Sequence, residues 1–130
     1  MSATPPSASD ALEVRLTLPA VASYARVARL AMTGLATRCG FSYDEVEDLR
    51  IAIGEVFGLL VDPDGPEGSV RFGCRIDDDA LRITAERVPE SALAEVGELS
   101  TVILGAVVDE ATIEAPRGRI TITARSEASA

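Results

Sequence analysis

A chain of 130 residues with a formal net charge of −9 has the size of one domain and opposes binding to phosphate backbones, whose affinity rests on many cationic contacts. It holds no His, no Trp and no Lys, so all 12 cationic side chains are Arg. Histidine acid–base chemistry, a Walker lysine and a lysine Schiff base are thereby excluded.

Hydrophobic residues make up 47% of the chain, yet no apolar run approaches the ~20 residues that a membrane helix needs. The opening MSATPPSASD has no basic segment followed by an apolar one, so the expectation is a cytoplasmic protein. Cys39 and Cys74 form no metal-spaced pair and are read as reduced, buried thiols, with a redox role left open and no metal site expected. Residues 1–11 and 126–130 are rich in Ser, Ala, Thr, Pro and Glu and are expected to be disordered tails around a domain spanning 12–125.

From Glu13 to Leu18, Val14, Leu16 and Leu18 alternate with Arg15 and Thr17, which predicts a half-buried strand ending at Pro19. A helix is predicted from about Ala22 to Arg38, with Val27, Leu30, Ala31, Gly34 and Leu35 on its buried face and Gly40 as its stop. Opposite that stripe, Ser23, Arg26, Arg29, Thr33 and Thr37 form a polar face open to a partner or simply to solvent. Ser42 and Glu45 have capping-box spacing, so a second helix should start at Tyr43, bury Val46, Leu49, Ile53, Val56, Phe57 and Leu60, and end before DPDGPEG.

Val70, Phe72, Cys74 and Ile76 alternate with polar residues, as do Leu81, Ile83 and Ala85, which predicts paired strands joined through a turn at Asp77, Asp78 and Asp79. Glu95 to Asp109 reads as a third helix with Leu99, Val102, Ile103, Ala106 and Val107 inward. The chain closes on a hairpin, ATIEA and RITITAR around PRG. The order strand, helix, helix, strand, strand, helix, strand, strand implies a two-layer α/β sandwich: a mostly antiparallel five-stranded sheet with three helices on one face.

The stretch Leu18–Val56 and the segment VILGAVVDEATI resemble the first two helices and the last helix of the serine-kinase anti-sigma factors, within the GHKL histidine kinase-like ATPase superfamily. The resemblance implies binding of a sigma factor, ATP-dependent phosphorylation of a serine on an anti-anti-sigma antagonist, and a homodimer. It also implies a Glu-x-x-x-Asn motif for catalysis and magnesium, in which Glu55 fills the first place and Leu59 the second. Arg87, Val88, Pro89, Glu90 and Ser91 stand at the adenine box Asp-x-Gly-x-Gly, about ten residues replace the lid, and Glu98 and Ser100 take the places of the phosphate-loop glycines.

An apolar Leu59 offers no oxygen to magnesium, Arg87 donates where the adenine amino group needs an acceptor, and Pro89 removes a backbone donor. The expectation is therefore a degenerate member, a pseudoenzyme with no bound cofactor. It would sequester a sigma factor or related regulator without ATP. Arg26 stands at the family's sigma-contacting arginine, with Arg29, Ser23 and Thr33 beside it. Two alternatives stay open: a serine protein kinase using ATP and magnesium with Glu55 as its catalytic group, and a dimerising adaptor with another partner.

Overall fold

The structure is a computed structural model that describes residues 12–62, 64, 67–77, 79–94 and 96–127. Residues 1–11 and 128–130, read as tails, lie outside the described residues, as do Asp78 and Glu95. Its elements follow the predicted order: β1 (Leu12–Pro19), α1 (Ala25–Arg38), α2 (Tyr43–Leu60), β2 (Ser69–Ile76), β3 (Ala80–Val88), α3 (Glu98–Val107), β4 (Glu110–Glu114) and β5 (Arg119–Arg125). Short 3-10 turns at Ala22–Tyr24 and Ala115–Arg117 precede α1 and β5.

The strands form one sheet in the order β1-β2-β3-β5-β4, and every neighbouring pair is antiparallel. Period-two alternation fixes which side chains face the helices: Val70, Phe72, Cys74, Leu81, Ile83, Ala85, Ile120 and Ile122 are all buried. The other face is open and polar. Across it Glu86 accepts from Arg71 at 2.9 Å and from Arg119 at 2.9 Å. Burial alone would push the Glu86 carboxyl up, but these hydrogen bonds outweigh it and hold the group below the usual carboxylate range.

Helix α2 is central. Its capping box is complete: the Glu45 N–H donates to Ser42 Oγ at 3.2 Å, and the Ser42 N–H donates to Glu45 Oε1 at 2.7 Å. Leu49, Ile53, Val56, Phe57 and Leu60 are buried as predicted, with Ala52 beside them, and Val46 is half-buried. Phe57 stacks on Phe72 of β2 with ring centroids 6.2 Å apart and planes 2° from parallel. Gly40, at φ +86°, ends the α1 turn in the left-handed region that glycine occupies without strain.

Two helix faces differ from the sequence expectation. In α1 the buried side chains are Ala28, Met32 and Ala36, with Ala31 and Leu35 half-buried, while Val27 and Leu30 are exposed at 42% and 61%. The helix is apolar on two adjacent stripes, and the one with alanines wins because small side chains allow α1 to approach α2 closely. In α3 only Leu104 is fully buried, with Ile103 and Val107 half-buried; Leu99 and Val102 face outward at 71% and 65% exposure, and Ala106 is exposed too. This short helix packs mainly on α2 and β4, at the flank of the layer, so one side of an all-round apolar segment stays uncovered. It also starts at Glu98, after Gly97 as N-cap.

Beyond Arg125, where a tail was expected to begin, the Ser126 N–H donates to Asp79 O at 2.7 Å and the Glu127 N–H to Glu45 Oε2 at 2.7 Å. No helix among the described residues is long and apolar enough to cross a membrane.

These burials set a paired expectation. Phe57→Ala should lower the unfolding free energy by ~3–5 kcal/mol, whereas Leu30→Ser should change it by less than ~0.5 kcal/mol. Urea denaturation of both variants checks it; a large loss from Leu30→Ser would restore the stripe expected from the sequence.

Candidate functional site

Two places carry the residues singled out from the sequence: the outer side of the α1–α2 pair, and the contact between α2, α3 and the end of β3.

On α1, Arg26 is exposed and Arg29 and Thr33 are half-buried; Ser23 lies just before the helix, exposed in the 3-10 turn. The Thr33 hydroxyl donates to Arg29 O at 2.6 Å and Thr37 donates to Thr33 O at 3.0 Å, so both donors are spent on the helix backbone. Arg26, Arg29, Leu30 and Thr33 instead line a shallow cavity of about 340 Å³ with Arg50 from α2. Arg29 reaches across the seam between the helices: a Cβ at Gly54 would lie 3.4 Å from its Nη1. None of the ion pairs among the described residues includes Arg26, Arg29 or Arg50. A chain with net charge −9 thus gathers three cations around one exposed leucine. Arg50 and Leu30 were missed from sequence. Leu30 was counted into the buried stripe, and nothing local to α2 shows that Arg50 faces α1.

At the second place, Glu55 is half-buried and its Oε2 accepts a 2.8 Å hydrogen bond from Ser100 Oγ on α3. Leu59, one turn on, packs against the core. Arg87 lies across the end of α2: its Nε donates to Leu60 O at 3.0 Å, and its Nη1 donates to Ala92 O at 2.6 Å and Ser91 Oγ at 3.3 Å. A cation on the terminal carbonyl of a helix also meets the negative end of the helix dipole. The Arg87 N–H donates to Gly118 O at 2.9 Å, and Gly118, at φ +60°, has no room for a Cβ against Ser91 O.

These residues do not fit a magnesium nucleotide. The carboxylate at the catalytic place is tied to α3, and the position of the metal ligand is apolar. The position of the adenine acceptor is a guanidinium, which can only donate, and its Nε and Nη1 are already engaged. The cavity beside Arg87 and Pro89 measures about 20 Å³, room for water-sized guests only.

The two cysteines lie elsewhere. Cys74 is buried under the helices, and burial, with a smaller contribution from Cys39, pushes its thiol from 9.0 up to about 12. Cys39, expected to be buried, is half-buried at the end of α1; burial still raises its thiol, against the lowering effect of Arg38.

No model of a known protein family matches the chain. It is similar to the protein named Serine-protein kinase RsbW from Oceanobacillus iheyensis, 36% identical over 73 residues, covering 54% of this chain and 46% of that one. The protein of the same name from Bacillus cereus is 38% identical over 77 residues, covering 56% of this chain and 47% of that one. The chain spans about half the length of the curated relatives it matches. Its fold is similar to a crystal structure of the RsbU and RsbW domains of Rv1364c from Mycobacterium tuberculosis, with a TM-score of 0.70 at 20% identity, over 88% of this chain and 32% of that one. The likeness to the serine-kinase anti-sigma factors is thus carried by sequence relatives and by the fold.

Arg87→Ala should cost ~2–3 kcal/mol in urea denaturation, because it strands the carbonyls of Leu60 and Ala92; no loss would mean that the side chain is idle. Because the fold favours the neutral Cys74 thiol, its stabilisation is complete below pH 9.0 and is lost as pH rises toward about 12. With no lysine titrating in that range, Cys74→Val should flatten the alkaline fall in melting temperature.

Proposed function

We propose that this chain is an anti-sigma-factor-type regulator that binds and sequesters a protein partner, a sigma factor, through the exposed side of α1, and does so without ATP. The observation that carries the reading is the groove where Arg26, Arg29 and Arg50 surround Leu30, with no ion pair of their own among the described residues. Arginine is among the residues enriched at interface hot spots, and three of them converge here. An anti-anti-sigma protein would be the competing ligand of the same surface, and the working unit would be a homodimer, both by analogy with the family.

Independence from nucleotide is supported by Leu59, by the engaged donors of Arg87, and by the hydrogen bond that ties Glu55 to Ser100. The reading as a serine protein kinase is favoured by the names of the relatives and by the carboxylate of Glu55 at its motif position. An adaptor with a different partner is the remaining reading.

Calorimetry with ATP and magnesium should show no binding tighter than about millimolar, ~4 kcal/mol. Micromolar binding, or phosphate transfer to a co-purifying antagonist that Glu55→Gln abolishes, would establish the kinase instead. For the partner surface, Arg26→Ala should weaken affinity for the sigma factor that co-purifies with the wild type by ~2 kcal/mol or more. Arg125→Ala, on β5 and away from α1, should leave that affinity unchanged. Equal binding by Arg26→Ala would remove α1 as the docking face.

A further inference from the structure

At the opposite flank from α1, β4 is the last strand of the sheet and, among the described residues, pairs with β5 alone. An edge strand turns alternate N–H and C=O groups outward, where another strand can meet them. Ala111 and Ile113 pair with the buried Ile122 and Ile120 and so face the helix layer, while Glu110, Thr112 and Glu114 face the open side. Between β4 and α3 runs an apolar groove of about 290 Å³ lined by Val96, Thr101, Leu104, Ala111, Ile113 and Ala115.

We propose that this edge and groove form a docking site for an added strand from another protein, an extended segment that alternates aliphatic and basic residues. Strand addition satisfies the outward backbone groups, and the groove receives every second side chain. Charge selects the remaining positions. Among the described residues Glu110 and Glu114 have long, exposed ion pairs, 3.8 Å to Arg125 and 3.5 Å to Arg117, so an incoming cation exchanges with these partners at little cost.

The same carboxylates argue against a second copy of this chain. A two-fold pairing of β4 with itself, centred on Thr112, would set Glu110 against Glu114 at both ends, between two molecules each of charge −9. The site does not depend on the α1 reading: α1 packs on α2, whereas α3 packs on α2 and β4.

The test is an NMR titration of the labelled full chain with a capped hexapeptide alternating Arg and Val. Amide shifts should centre on the segment from Val96 to Ala115, with smaller ones at Arg117 and Arg125, whose carboxylate partners are exchanged. A hexapeptide alternating Glu and Val should bind at least ~10-fold more weakly. The double variant Glu110→Arg, Glu114→Arg should reverse that preference, and its own spectrum reports whether it is folded. Methylating the peptide nitrogens along one strand edge should abolish binding, and along the other edge should leave it intact. Arg26→Ala should bind the peptide as the wild type does. The proposal is overturned by no shifts at millimolar peptide, by shifts centred on β1 or β2, by equal binding of both methylated peptides, or by indifference to the charge reversal. A dimer joined through β4 in sedimentation would likewise assign the edge to a second copy.

Discussion

Everything on the helical side of this protein is positioned by the seat of α2 on the sheet. The Phe57–Phe72 stack, with Ile53, Val56 and Leu60 around it, fixes the depth and rotation of that helix against β2, β3 and β5. The other two helices then pack chiefly on α2. Arg50 and Gly54 therefore face α1 and complete the arginine groove, while Glu55 faces α3 and meets Ser100. Residues one position apart on a single helical turn thus serve opposite sides of the layer, as the rotation of about 100° per residue requires.

That arrangement sets up an electrostatic contrast. The surface as a whole is acidic, yet the side offered by α1 concentrates guanidinium groups around an aliphatic side chain. Long-range attraction from net charge favours basic partners, and the local field at this groove favours a carboxylate. A partner suited to both carries an acidic contact residue within a generally basic surface. Arginine suits the role, because its planar fork keeps its charge and its bidentate geometry when desolvated.

Strands and helix order were legible because two-residue alternation and a capping box are local signals: Val70 to Ile76, Arg119 to Arg125, and Ser42 with Glu45 each declare their structure within a few residues. The buried faces of α1 and α3 were not, since both helices are apolar on more than one stripe and only tertiary packing selects among them. Ala28 and Ala36 won in α1 by their small size, with Met32 filling the space between them, and Leu104 won in α3 because the helix sits at a flank. The site divides in the same way. The departures at Leu59, Arg87 and Pro89 were visible against a family pattern, but the acceptors that Arg87 satisfies, and the bond from Ser100 to Glu55 across 45 positions, join segments distant in sequence.

Glu45 has a further consequence. One carboxylate oxygen accepts the N–H of Ser42 and closes the cap of α2; the other accepts the N–H of Glu127, 82 residues later, just past the end of β5. The backbone donors of Glu127 and Ser42, in that order, hold this carboxyl below its ordinary value. Its contribution is complete above pH 4.5 and is lost as pH falls through the lowered value. One proton arriving there loosens both the beginning of the central helix and the end of the last strand. Acid thus acts on the two ends of the fold as a single event.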